Sequence, residues 1–190
     1  MSSETSTDVV GTASGLSAAL GANDLDRPLR ISAPDGVPPM EHLLTARVPH
    51  LMGRVSDLSN AVYGSATLPL REFEAARVRI AQINGCLVCQ NWRSARDIPT
   101  RRHEQIPEEW YEHLTGDLQW DGYTERERLA FDFAGRFAQD HQNMDDQFWS
   151  RMHEHFSEDE IVELTICVGT WMFSGRMLRI FGVDAAACRI

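Results

Sequence analysis

Cys86 and Cys89, in the run Asn84-Gly85-Cys86-Leu87-Val88-Cys89-Gln90-Asn91-Trp92-Arg93, form the closely spaced thiol pair of this chain. Cysteines at this spacing can close into a disulfide and reopen, with the thiolate as the reactive form. Asn84-Gly85 is a natural stop for one helix. The cysteines are therefore expected to open the next, where backbone N–H groups favour negative charge. The chemistry this predicts is dithiol–disulfide exchange. Zinc is the first alternative, but it wants two further ligands at regular spacing. His103 and His113 lie ten residues apart in a Pro-containing stretch, which matches no finger or ribbon. The second alternative is a pair of buried small hydrophobes.

Other chemistry-bearing residues surround the pair in sequence or sit on neighbouring segments. Glu74 has Arg71 and Arg77 at helix-turn spacing, so an ordinary ion pair is its plainest role. Trp92 is close enough to the thiols to wall a pocket. Arg176 sits in Phe173-Ser174-Gly175-Arg176 on an otherwise apolar segment, where it reaches either the site or an acidic partner. His153 and His155 are two apart, which puts them on different helix faces and argues against a metal pair. Cys167 and Cys188 have no cysteine neighbour and are expected to be structural.

The elements that must position these groups read as helices throughout. Residues 1–39 are rich in Ser, Thr, Gly, Asp and Pro and are expected to form a flexible N-terminal arm, or one that wraps a partner subunit. Residues 40–190 are expected to form one helical domain. From Met40 to Tyr63 apolar residues recur at helical spacing (Leu43, Leu44, Val48, Leu51, Met52, Val55, Leu58, Val62), interrupted by Pro49 and stopped at Gly64. A helix with Pro69 in its first turn carries Phe73, Ala76, Ile80 and Ile83. The cysteine helix is expected to run on toward Arg96. Residues 97–122 hold prolines, glycines and aromatics and read as a connection with one short helix near Glu108–Leu114 that covers the site. Thr124…Glu127 and Ser157…Glu160 each fit a capping box before a periodic apolar run. The last of these runs, from Ile161 to Phe181, is apolar on most sides, as a helix buried in the core or between subunits would be. No segment alternates as a strand does, so the fold class is all-α.

Composition narrows the function classes. A chain of 190 residues, 43% hydrophobic and without internal repeats, is long enough for one substantial core. The formal charge of −10 and a pI near 5.1 argue against a nucleic acid or an anionic membrane as partner. All 18 basic residues are Arg, which excludes a Schiff-base lysine and covalently attached pyridoxal phosphate. No apolar run approaches the ~18 residues of a membrane span. With few cysteines and a CxxC of catalytic type, a cytoplasmic location is the expectation. No cofactor and no metal are called for.

Taken together these motifs resemble the carboxymuconolactone decarboxylase and alkylhydroperoxidase D superfamily. The likeness rests on Glu74 twelve residues before the CxxC and on the context Arg77-x-Arg79-Ile80-Ala81-Gln82-x-Asn84-Gly85-Cys86-x-x-Cys89. It extends to the capped Thr124-Glu125-Arg126-Glu127 helix and to Ser157-Glu158-Asp159-Glu160-Ile161-Val162-Glu163-Leu164-Thr165, over about residues 45–182. The resemblance implies a helical subunit assembled as a homo-trimer or hexamer, with the CxxC near a subunit interface. It also implies a peroxidase-like oxidoreductase: Cys89 attacks a hydroperoxide, Cys86 resolves the sulfenic acid as a disulfide, Glu74 relays protons, and a thiol reductant restores the dithiol.

The chain departs from that pattern at the relay histidine, whose place four residues after Cys89 is taken by Arg93; the histidine that the resemblance implies between the cysteines is replaced by Val88. Arginine stays charged and cannot shuttle a proton, but it can lower a thiol pKa or hold an anionic substrate. His141, at the end of the helix that Thr124 caps, is the first candidate to replace the missing histidine. A surface histidine at a helix C-terminus is its plainer reading. Arg93 makes a small carboxylic acid attractive as substrate, so the competing function is a decarboxylase-like lyase acting on a small carboxylated ring or lactone, its anion held by Arg93 or Arg176. A third is a non-enzymatic redox-sensing scaffold.

Overall fold

The computed structural model describes residues 22–101, 103–114 and 118–188, and every regular element among them is helical. In chain order these are α1 (Ala22–Leu25), α2 (Pro39–Thr45), α3 (Pro49–Ser65), α4 (Leu70–Asn84), α5 (Leu87–Asn91), α6 (Ser94–Asp97), α7 (Glu108–His113), α8 (Glu125–Gln139), α9 (Asp146–His155), α10 (Glu158–Phe181) and α11 (Val183–Ala187). Short 3-10 turns lie at Pro99–Arg101 and His141–Asn143. The all-α expectation holds.

The centre is a trio of helices running in one direction. Arg71 of α4 pairs with Glu127 near the start of α8, and Arg79 farther along α4 reaches Gln139 at the end of α8. Likewise Glu163 of α10 accepts from Thr67 and Leu68 just before α4, while Asn84 at the end of α4 donates to the Trp171 carbonyl. Arg126 clasps the three N-terminal ends: it donates to Glu72, to Glu160 and to the His155 carbonyl. Acidic side chains there also suit the positive ends of the helix dipoles. Both capping boxes form as expected, Thr124 with Glu127 and Ser157 with Glu160.

Because α4 is packed by both α8 and α10, it is buried on nearly every side. Phe73, Ala76 and Ile80 enter the main apolar core as anticipated, and so do the charged Glu74 and Arg77. α4 ends where Gly85 takes a left-handed φ of 61°, a conformation glycine adopts without steric cost, so the cysteines emerge at the C-terminal end of the trio.

Several expectations need correction. The helix opened by the cysteines does not run to Arg96: it ends at Asn91, the chain is extended at Trp92 and Arg93, and α6 restarts at Ser94. α3 continues past Gly64 to Ser65, and Pro69 caps α4 from outside rather than sitting within it. Of the periodic set on α2 and α3 only Leu43, Met52 and Val62 are buried, whereas Leu44, Val48, Leu51 and Leu58 are exposed. α10 is, by length and composition, apolar enough to cross a membrane, although no such run was expected. Interspersed Glu163, Thr165 and Ser174 hide that run from a residue count, and Leu164, Val168 and Trp171 bury one side of it in the core.

Of the arm expected over residues 1–39, residues 1–21 lie outside the described residues. The remainder is tied to the far end of α10: Asp24 pairs with Arg179, Arg27 donates to the Arg179 carbonyl, and the Arg30 N–H donates to Phe181.

Candidate active site

Cys86 and Cys89 are joined as a disulfide, with their Cα atoms 5.3 Å apart. Cys86 precedes α5 and is fully buried; its sulfur accepts the Cys89 N–H at 3.3 Å. Cys89, one turn on, is half-buried, so it is the more accessible sulfur. The short helix is held from two sides. Asp184 of α11, itself fully buried, accepts the Leu87 N–H at 3.1 Å, with Arg179 3.7 Å from the same carboxylate oxygen. From α4, Arg77 donates to the carbonyls of Cys89 (2.6 Å) and Trp92 (2.7 Å).

Arg77 is in turn gripped by Glu74, through Nε to Oε1 at 2.5 Å and Nη2 to Oε2 at 3.0 Å. Ser94 and Tyr111 donate their hydroxyls to the two carboxylate oxygens at 2.6 and 2.7 Å. Glu74 is 0% and Arg77 2% exposed. Burial alone would raise the Glu74 pKa. The Arg77 guanidinium, by charge and hydrogen bond, together with the two hydroxyls, holds the carboxyl below its usual range. Glu74 is therefore an anion at neutral pH, fully partnered, and bonded to the cysteine helix through Arg77.

A small cavity of about 30 Å³ opens beside Cys89, walled by Tyr63, Arg77, Ile80, Ala81, Asn84, Trp171 and Ser174. Tyr63 comes from α3 and packs its ring against Phe73, Trp92 and Trp171. Burial, with the Glu74 charge adding to it and Arg77 opposing, raises the Tyr63 phenol to about 12. Asn84 is committed: its amide donates to Trp171 and its oxygen accepts from Arg176 at 3.0 Å.

The residues singled out in the sequence fall at unequal distances from this centre. Cys86, Cys89 and, through Arg77, Glu74 are brought together. Trp92 lies behind the cavity wall, against Tyr63. Arg93 turns away: it pairs with Glu108 at 3.2 Å, donates to the Gln90 and Trp92 carbonyls, and its guanidinium lies 4.1 Å over the Tyr111 ring. Arg176 is exposed and reaches the site only as a support of Asn84. His141 is exposed in the 3-10 turn after α8 and takes no part in the bonds or walls of this site. Among the described residues no group of three His, Cys, Asp or Glu side chains is placed to hold a metal.

Tyr63, Arg77, Ser94, Tyr111, Trp171 and Asp184 were not picked out as site residues. Only Arg77 carried a local signal, its three-residue spacing from Glu74. The others arrive from distant elements.

Neither a family model nor a curated protein matches the chain. Solved structures do. One is a protein of unknown function from Agrobacterium tumefaciens, put forward as an antioxidant defence protein AhpD. It matches at 26% identity with a TM-score of 0.59, over 72% of this chain and 91% of that one. An uncharacterized peroxidase-related protein from Silicibacter sp. TM1040 matches at 16% identity and a TM-score of 0.57, over 70% and 68%, and supports the fold alone. Helical architecture and neighbours agree with the resemblance carried by the motifs: the chain is alkylhydroperoxidase D-like in fold, and its likeness is to the carboxymuconolactone decarboxylase and alkylhydroperoxidase D superfamily.

Proposed function

We propose that the protein is a thiol-dependent peroxidase-like oxidoreductase that cycles Cys86 and Cys89 between dithiol and disulfide. One observation carries the reading: two sulfurs within bonding reach, the outer one beside a small cavity and the inner one buried behind it. Cys89 is then the thiol that a hydroperoxide meets, and Cys86 the thiol that resolves it. Glu74 serves the pair by holding Arg77 against the carbonyls of Cys89 and Trp92. A thiol reductant returns the disulfide to the dithiol by attacking the accessible Cys89 sulfur. The cavity exceeds the 10–15 Å³ or so that one water occupies. It therefore suits the head of a hydroperoxide, with the organic part outside.

The test is to mix reduced protein with an organic hydroperoxide and count free thiols. Loss of the Cys86 and Cys89 thiols with one equivalent of alcohol formed supports the reading, and unchanged thiols reject it. The decarboxylase-like alternative needs a cation free to hold a carboxylate beside the site; Arg93 is committed to Glu108, and Arg176 is exposed, outside the cavity wall and bonded to Asn84, so no observation favours that alternative. We further propose a cytoplasmic location and self-association through the exposed apolar faces of α3 and α10.

A further inference from the structure

Cleaving an O–O bond with a thiolate leaves an oxygen anion that needs a proton, and the usual carriers are otherwise engaged here. Arg93 stands where a relay histidine would, and arginine does not release its proton. Glu74 is ionised and accepts four hydrogen bonds. Of the polar groups that wall the cavity, Arg77 and Asn84 are committed as described, and the Ser174 hydroxyl donates to the Thr170 carbonyl within α10. Two donors remain. The Tyr63 hydroxyl donates to no acceptor among the described residues. The Trp171 indole N–H, on a side chain 5% exposed, has none either; it reaches toward the Tyr63 oxygen without closing a hydrogen bond. Both belong to residues that wall the same space as Cys89.

From this convergence we propose that Tyr63 is the acid that protonates the leaving oxygen when Cys89 opens a hydroperoxide, with the Trp171 N–H ready to donate to the phenol oxygen as its proton departs. The assignment rests on the peroxidase reading above. The Cys89 thiolate attacks the terminal oxygen of R–O–O–H; the S–O bond forms, the O–O bond breaks, and its electron pair goes to the RO fragment. That fragment takes the Tyr63 proton and leaves as ROH, and the phenolate recovers a proton from solvent. The Cys86 thiol then attacks the Cys89 sulfenic acid, expelling hydroxide that takes the Cys86 proton and leaves as water. Two thiols and one hydroperoxide thus give a disulfide, an alcohol and water. Electrostatics support the direction of transfer. A phenol held near 12 keeps its proton at neutral pH, yet gives it up readily to an oxyanion whose conjugate acid resembles water, at about 15.7.

The leaving group supplies the test. Reduced full-length wild type and Tyr63→Phe are mixed in single turnover with tert-butyl hydroperoxide, with peracetic acid and with iodoacetamide, and Cys89 modification is timed. Acetate and iodide leave without a proton; an alkoxide does not. The expected result is a fall of about 10²-fold for the hydroperoxide in Tyr63→Phe, the size of a general-acid contribution, with the other two rates unchanged. Equal loss on all three reagents, or loss on none, overturns the assignment to Tyr63 while leaving the peroxidase reading intact. Wild-type thiols that survive the hydroperoxide but alkylate normally overturn that reading and the assignment with it. Tyr63→His gives an independent measure should the Phe variant not fold. Its hydroperoxide rate relative to peracetic acid is expected to rise as the pH falls below the imidazole range, and a flat ratio counts against the proposal.

Discussion

Glu74 stands where a catalytic carboxylate is expected, and its bonds to Arg77 support the proposed role through that neighbour. A proton relay needs a free lone pair and a pKa near the working pH, and four donors occupy this one. Removing its charge leaves Arg77 buried without a counter-ion, a loss of about 3–5 kcal/mol for a pair of this kind. Glu74→Gln is therefore expected to lower the urea midpoint of the reduced protein at pH 7 by a corresponding amount. A variant that keeps the wild-type midpoint but loses peroxide turnover would instead make Glu74 the relay. The pH dependence follows from the same geometry. The folded pKa is held below the ordinary 4.5, so the contribution is fully present above that value and drains away as the pH falls through the folded pKa. Wild-type stability, followed by urea titration from pH 7 downward, is expected to decline below about pH 4.5, and Glu74→Gln to flatten that decline. At this scale the sequence discloses pairs on one helix and little else. Glu74 and Arg77 are one turn apart and legible. Tyr63, Trp171 and Tyr111 come from three other helices, and nothing in their local context marks them.

Among the elements, α5 is too short to stand alone, since isolated helices become stable only beyond ~12 residues. It depends on Arg77 from one side and Asp184 from the other. Asp184→Ala removes the acceptor of the buried Leu87 N–H, which costs about 1–3 kcal/mol. Urea unfolding is expected to register that loss, and amide exchange at Leu87–Asn91 to quicken more than in α8. A second junction lies where α10 crosses the end of α4. A Cβ on Gly175 would sit 2.6 Å from the Asn84 Nδ2, and this amide holds the Trp171 and Met172 carbonyls. Gly175→Ala is expected to cost about 1–3 kcal/mol through overpacking, seen as a lower thermal midpoint. Helix starts and stops were legible at the two capping boxes, at Asn84-Gly85 and at the Pro49 break, while Gly64 and Pro69 marked their helix ends one residue off. The interruption at Trp92–Arg93 was not, because carbonyls at that bend are taken by Arg77 from α4. Nor was α11, five residues long and without a period to read.

For the molecule as a whole, the unresolved quantity is apolar surface. α10 exposes Val162, Ile166, Phe173 (52%) and Ile180 (64%), at intervals of four and seven residues that keep them on one face; α3 exposes Leu51 (60%) and Leu58. The sequence announced this helix as buried in the core or between subunits, and the fold accounts for only one side of it: Leu164, Val168 and Trp171 face the core. A stripe of that length on a monomer marks an interaction surface, and the proposed occupant is a second copy of the same chain. Wild type is then expected to elute well above its 21.5 kDa monomer, and Phe173→Glu, which would place a charge in a dry interface, to shift it toward the monomer. A wild type that elutes as a monomer rejects the assembly. Oxidised and reduced samples are expected to elute alike, because the stripe lies on α10 whereas the disulfide ties Cys86, just before α5, to Cys89 in that helix, whose supports are Arg77 and Asp184. Elution that changes with redox state would favour the sensing scaffold over the enzyme, since the disulfide would then control assembly rather than turnover.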